Sequence, residues 1–305
     1  PTKKILEASI LGWIHGLRFP KNMRWGSYRQ RFVRPIRWLT CLWNGEVIQV
    51  ELEMVISSNR SLGHRFLSKD FFTIDQADEY ENKLRDQWVI ASLSKRCERI
   101  KEQIHELENK YKWRVEIDPS LLMEVTNLVE WPTALVGTFE KAFLELPNEV
   151  LVTSMAVHQR YFPVYEKDGT NLLPYFITVR NGNEHCLETV RQGNERVIRA
   201  RLSDARFFYQ EDQKVALVDF EKKAANAIFF PERGSQQDRT ERIQLLTEKF
   251  SKDLLPDQKD QEEAKRIAKL CKFDLQTQMV YEFPELQGIM GERYASIWGE
   301  SEKVC

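Results

Sequence analysis

Between Arg18 and Arg37 the chain carries seven cations, Arg18, Lys21, Arg24, Arg29, Arg31, Arg34 and Arg37, interleaved with Trp25, Tyr28 and Phe32 and without one carboxylate. Arginine neutralises phosphate and aromatic rings stack on unpaired bases, so the pattern has the chemistry of single-stranded or terminal RNA recognition. An alternative assigns Trp25 and Phe32 to a core and pairs the arginines with carboxylates elsewhere. A second cluster, His158-Gln159-Arg160-Tyr161, stands close to a strand start, where it could grip a phosphate or a terminal adenosine, or be a satisfied structural group. No nucleophile with a general base and no metal-ligand spacing accompanies it, so the catalytic set is empty.

The third group is the run Gly193 to Phe208, GNERVIRARLSDARFF. Gly193 and Asn194 can end the preceding segment and cap a helix, and Glu195 and Arg199 are spaced as an i,i+4 pair. Val197, Ala200 and Asp204 would form the packing side and Arg196, Arg199, Arg201 and Arg206 the cationic side. Phe207-Phe208-Tyr209 should be at least partly buried.

These groups need elements to position them. Arg34 to Trp43 and Val47 to Val55 read as a β-hairpin around Asn44-Gly45. From Gln76 to Tyr111 apolar residues (Leu84, Trp88, Leu93, Cys97, Ile100, Ile104, Leu107, Tyr111) recur mostly at steps of three or four, which predicts one long amphipathic helix near 76–111. Asp118-Pro119 opens another helix to about Val129. Ala134 to Phe139, Tyr161 to Tyr165 and Pro174 to Val179 read as strands, with a helix from Pro147 and a turn at Asp168-Gly169. After Asn194 the pattern is helical, with breaks near Pro231 to Ser235 and near Pro256. The expected fold class is therefore mixed α+β, with an α/β domain over 1–185 and a helical domain over 194–305.

Composition narrows the class further. The formal charge is −1 although 30% of residues are charged, so any nucleic-acid surface must be a local concentration of arginine. Five cysteines (41, 97, 186, 271, 305) form no CxxC pair and are odd in number, which fits a reducing compartment and argues against a disulfide frame or zinc ribbon. No apolar run reaches the roughly 20 residues of a membrane span, and the absence of an initiator methionine suggests an excised piece. All five histidines precede residue 194 and no His-Asp dipeptide occurs, so no metal ligands are assigned.

Several long strings give the chain a family resemblance. LVEWPTALVG (128–137), HQRYFPVYEKDG (158–169), LLPYFITVRNG (172–182), the run from Gly193 and EFPELQGIMGERYA (282–295) join KNMRWG (21–26), FVRPIRWL (32–39) and GHRF (63–66). Together they resemble the beta subunit of the bacterial two-subunit glycyl-tRNA synthetase. The resemblance implies an α/β first domain similar to the editing-type domain of the phenylalanyl-tRNA synthetase beta subunit, then an all-α HD-like domain; truncation of the latter at its C-terminus is one alternative. It also implies a longer subunit, with a portion before this segment and an anticodon-binding portion after it.

By the same resemblance the chain would bind and position tRNA(Gly) and complete an assembly of two alpha and two beta subunits. The alpha subunit would activate glycine with ATP and Mg²⁺, and this piece would bind no cofactor and catalyse nothing alone. The implied partners are the alpha subunit and tRNA(Gly), with no membrane and no DNA, in the cytoplasm. Arg24, Trp25, Arg29, Arg31, Arg34, Arg37, His158, Arg160, Tyr161 and Arg199 are the candidates for tRNA or subunit contact. An assembly scaffold that never touches RNA and, far behind, an HD-type metal phosphohydrolase are the alternatives.

Overall fold

Turn chemistry and caps account for many of the elements. In the computed structural model, which describes residues 2–53 and 55–305, helix α1 (Thr2–Gly16) precedes the irregular basic stretch. Asn44 and Gly45 take φ of 47° and 75°, as a two-residue primed turn demands. The hairpin they close is much shorter than expected, pairing β1 (Leu42–Trp43) only with β2 (Glu46–Val47). Two further ladders follow, β3 (Glu51–Leu52) with β4 (Val55–Ile56) and β5 (Arg60–Leu62) with β6 (Phe71–Thr73). The chain thus folds back repeatedly: Thr40 bridges Ser58, so the ends of the expected hairpin have other partners.

The expected helix at 76–111 is two helices, α2 (Tyr80–Asp86) and α3 (Leu93–Tyr111). Trp88 stands at φ 63° in the break and packs edge-on against Trp131 at 5.0 Å. Arg96 consolidates it, donating to the carbonyls of Ile90, Ala91 and Thr126 at 2.6, 2.9 and 3.2 Å. Tertiary contacts therefore override a periodicity whose one five-residue step, Trp88 to Leu93, marks the interruption. Strand β7 (Arg114–Val115) and helix α4 (Pro119–Leu128) come next, the latter capped by Asp118, whose Oδ1 accepts the Leu121 N–H at 2.8 Å.

Strand β8 (Pro132–Thr138) and helix α5 (Asn148–Val152) lead into a π-helical turn, Thr153–His158. Then β9 (Phe162–Tyr165) and β10 (Leu172–Asn181) pair antiparallel across the Gly169 turn. The four-stranded sheet has the order β7-β9-β10-β8. Gly137 is required in it: a Cβ there would lie 2.2 Å from the Phe176 ring.

Helix α6 (Leu187–Gln213) starts earlier than its sequence suggests, running straight through Gly193-Asn194. Asn194 does not cap; its Nδ2 donates to the Val190 carbonyl, and its Oδ1 accepts from the Tyr161 hydroxyl at 2.7 Å. Helix α7 (Leu217–Asn226) is followed by a small hairpin, β11 (Ile228–Phe230) with β12 (Gly234–Ser235), so the C-terminal segment is not all-α. Gly234, at φ 85°, lets the chain turn back, and Ser235 with Asp238 forms the capping box of α8 (Gln236–Leu254). Helices α9 (Gln258–Leu270), α10 (Gln278–Glu282) and α11 (Ile289–Ile297) complete the chain.

The chain divides into two compact units, each discontinuous in sequence. One comprises Pro1–Leu107, Asp118–Leu135 and Val179–His185; the other Glu108–Ile117, Val136–Thr178 and Cys186–Cys305. In the first, Ile48, Val50, Leu52, Ile74, Leu84, Ile100, Ile104 and Val125 are buried. In the second, α6 contributes Ile198, Leu202 and Ala205 to a core with Phe143, Val150, Leu151, Met155, Phe176, Phe273, Met290 and Tyr294. Burial on this scale supplies the stabilisation that offsets ordering the chain.

Candidate nucleic-acid interface

The basic segment is held by its own aromatic and backbone contacts. Phe19 meets Phe32 edge-on at 5.0 Å, and Met23 and Phe32 exchange N–H···O bonds of 2.9 and 3.2 Å. Between them the chain turns at Gly26, φ 56°, and the Tyr28 N–H donates to the Trp25 carbonyl. Trp25, Tyr28 and Phe32 are half-buried, whereas Arg18, Lys21, Arg24, Arg29, Arg31, Arg34 and Arg37 are all exposed. Arg18 donates to the His15 carbonyl and Arg31 to Asn22 Oδ1, at 2.9 and 3.2 Å. Among the described residues none of the seven meets a carboxylate. Six candidates, Arg24, Trp25, Arg29, Arg31, Arg34 and Arg37, thus lie in one segment with rings supplying the frame and cations left to solvent. No carboxylate among the described residues neutralises this charge, and exposed arginine of this kind has the chemistry to meet phosphate.

The His158 group is organised differently. Arg160 adopts φ 59°, and its guanidinium donates to the Val157 and His158 carbonyls at 2.7 and 3.1 Å, at the end of the π-helical turn. His158 stacks on Phe283 with ring centroids 5.1 Å apart, and its Nε2 lies 3.8 Å from Glu285 Oε2. Tyr161 is buried against Phe176, and burial pushes its hydroxyl pKa up to about 12. Each of the three therefore has a partner within the fold.

Some arginines of α6 are also engaged, whereas Arg196 and Arg201 are exposed and meet no carboxylate among the described residues. Arg199 pairs with Glu140; the local pair with Glu195 is not made, because Glu195 Oε1 accepts from the Thr138 N–H and hydroxyl at 3.0 and 3.1 Å. Arg206 lies 3.6 Å from Glu145 and 4.9 Å from the Phe143 ring centroid. The packing side is Ile198, Leu202 and Ala205, while Val197, Ala200 and Asp204 are exposed. Phe208 and Tyr209 pack against the core, but Phe207 is 56% exposed.

Sequence reading missed two buried carboxylates as organising groups. Asp212 Oδ1 and Oδ2 accept the N–H groups of Gln278 and Met279, both at 2.9 Å, and Oδ2 also accepts the Tyr294 hydroxyl at 3.1 Å. Asp274 Oδ2 accepts the Gly288 N–H at 2.5 Å at the start of α11, and burial pushes its carboxyl pKa up. Paired glycines were the available signal: a Cβ on Gly291 would sit 3.3 Å from the Asp274 carboxylate. Nothing in the local sequence points to Asp212. Among the described residues no three His, Cys, Asp or Glu side chains converge on a metal position, and no helix is long and apolar enough to cross a membrane.

Comparison with known proteins adds an independent line. A family model described as the glycyl-tRNA synthetase beta subunit matches residues 1–305. The glycine–tRNA ligase beta subunit of Bacillus subtilis (strain 168) is 48% identical over 304 residues, 100% of this chain and 44% of the relative. That of Halalkalibacterium halodurans is 49% identical over 292 residues, 96% of this chain and 42% of the relative. That of Listeria monocytogenes serotype 4b (strain CLIP80459) is 47% identical over 292 residues, with the same coverage. The chain spans less than half the length of these curated relatives.

Proposed function

The chain belongs to the glycyl-tRNA synthetase beta subunit family, and from that membership we propose that it serves glycine–tRNA ligation by binding and positioning tRNA(Gly). The observation that carries the reading is the Arg18–Arg37 segment, whose seven exposed cations find no carboxylate among the described residues. Glycine activation with ATP and Mg²⁺ falls to an alpha subunit in a cytoplasmic assembly. The finer likenesses, to an editing-type domain and to an HD-like domain that has lost its chemistry, belong to the same proposal.

The test is an Arg34→Ala and Arg37→Ala double variant in the full-length subunit assembled with its alpha partner. Its affinity for tRNA(Gly) should fall, and the slope of log affinity against log salt should shrink by about 0.7 to 0.9 for each phosphate no longer neutralised. Glycine-dependent pyrophosphate exchange should be unchanged. Unaltered affinity at low salt in a folded variant would sink the reading.

A scaffold role has its own observation: Ile5 and Trp13 on α1 are 64% and 62% exposed, and Leu17 just beyond is 50% exposed. An apolar surface of that kind suits a protein partner. Under that reading the arginine variants disturb assembly and leave the salt slope alone.

A further inference from the structure

We propose that Tyr111, Trp113 and Tyr175, flanked by Lys110, Lys112 and Arg114, form a stacking site for an unpaired RNA base and its adjoining phosphates. The inference rests on the tRNA-binding reading and adds to it a second point of attachment, on a segment apart from Arg18–Arg37. Trp113 meets both neighbours: its ring centroid is 4.4 Å from that of Tyr111, with planes 16° apart, and 4.5 Å from that of Tyr175, at 30°. Tyr111 is 42% exposed and the other two rings are half-buried, so the stack is anchored at one end, while at the other the Lys110 side chain stands over the Tyr111 ring and a base extends the stack by displacing it. A base can extend such a stack through its π-face whatever its identity.

Lys112 and Arg114 are free to meet phosphate, and Lys110 reaches it by swinging off the Tyr111 ring. Lys110 Nζ lies 5.1 Å from the Tyr111 ring centroid, and Lys110, Lys112 and Arg114 are exposed. None pairs with a carboxylate among the described residues, because the neighbouring acids have other partners. Glu108 Oε1 accepts the Val115 N–H, Glu116 bonds the Tyr165 side chain, Glu166 accepts from Asn171, and Asp168 accepts from the Thr170 N–H and hydroxyl. The result is three cations and three rings in the run Lys110 to Arg114 plus Tyr175.

Lys112 adds a second observation. It stands at φ 59° immediately after α3, and the Trp113 N–H donates to the Glu108 carbonyl, the closure of a left-handed helix end. Glycine takes that conformation without strain and lysine does not. A lysine here therefore lowers stability, and supplying charge beside the stack gives it a use. Its ordinary alternative is compensation of the helix C-terminal dipole, which the test separates.

Lys112→Gly removes the charge while easing the backbone. In the full-length subunit assembled with its alpha partner, Lys112→Gly should keep or raise the melting temperature yet weaken binding of a tRNA(Gly) transcript, with a shallower salt slope. Tyr111→Ala should weaken binding about fivefold or more, with little change in salt slope, since it takes away an uncharged stacking ring. The Arg34→Ala and Arg37→Ala pair is measured alongside. If that pair weakens binding while folded Lys112→Gly and Tyr111→Ala variants bind as well as wild type, the stacking site is refuted and the tRNA reading stands. If all three bind normally, both fall. A lower melting temperature in Lys112→Gly with unchanged binding would assign the lysine to the helix dipole and refute its phosphate role.

Discussion

Two arginine-rich regions of this molecule look alike in sequence and differ in what their charges meet. On α6, Arg191, Arg199 and Arg206 pair with Glu188, Glu140 and Glu145. Between Arg18 and Arg37 no carboxylate approaches any of the seven cations among the described residues. The contrast shows that density of arginine is a poor guide to nucleic-acid contact, and that reachable acids decide. Glu140 and Glu145 lie at the two ends of a short turn packed beside α6, and among the described residues no acid stands so beside the 18–37 segment. Three of the five guanidinium groups of α6 are committed to acids of the fold, with Arg196 and Arg201 left exposed, whereas none of the seven cations of the 18–37 segment is so committed among the described residues.

The largest effect expected from breaking this comparison comes at the end of α6. Asp212→Ala leaves the buried Met279 N–H, the part-buried Gln278 N–H and the buried Tyr294 hydroxyl without their acceptor, and should cost about 3 kcal/mol of unfolding free energy. Denaturant titration measures it, and tRNA affinity of the remaining folded protein should not change. Next comes the joint replacement of Arg24, Arg29, Arg34 and Arg37 by Ala. The salt slope for tRNA should fall by about 3 if each arginine meets one phosphate, while stability stays within about 0.5 kcal/mol.

Smaller effects sharpen the other side. Arg199→Ala removes an exposed pair and should cost about 0–1 kcal/mol. Arg206→Ala should cost somewhat more, because the guanidinium also covers the Phe143 ring. Neither should alter the salt slope, and a fall in it would dissolve the distinction between the two regions. The smallest effect is a pH slope. Burial raises the Asp274 pKa, so this group binds its proton more readily folded than unfolded. Its contribution to stability therefore grows as pH falls from neutral through that raised value, and levels off below the ordinary carboxylate range of about 4. Glu300, held low first by its hydrogen bond from Arg266, runs the other way and loses stabilisation in acid. Comparing unfolding of wild type and Asp274→Asn between neutral pH and pH 4 isolates the Asp274 component.

Sequence revealed what local chemistry decides. Asp118-Pro119, Asn44-Gly45, Pro147 and Pro256 mark caps, a turn and breaks because their conformations are restricted whatever surrounds them. Where distant contacts decide, it misled or was silent. Gly193-Asn194 reads as a helix start, yet Tyr161 holds Asn194 inside a longer helix. The periodicity from Gln76 runs across the Trp88 break because groups far along the chain stabilise it, Trp131 packing on Trp88 and the Thr126 carbonyl accepting from Arg96. The cations of the candidate interface were legible from composition; that they lack partners was not, since a carboxylate can arrive from anywhere.

Asp212 also closes a long detour. Its carboxylate reaches residues 66 and 67 positions ahead, at the start of α10, and α7, the small hairpin, α8 and α9 lie in between. The detour is fastened to the core chiefly through Phe220 on Phe273 and Trp298, and through Leu270. Helix α8 buries only Ser251 and leaves Leu245, Leu246, Phe250 and Leu254 more than half exposed. Its amides should therefore exchange with solvent through a local opening, at a free energy well below that protecting α6. Proteolysis under native conditions should cut α8 first, with Asp212 still keeping both ends of the excursion in place.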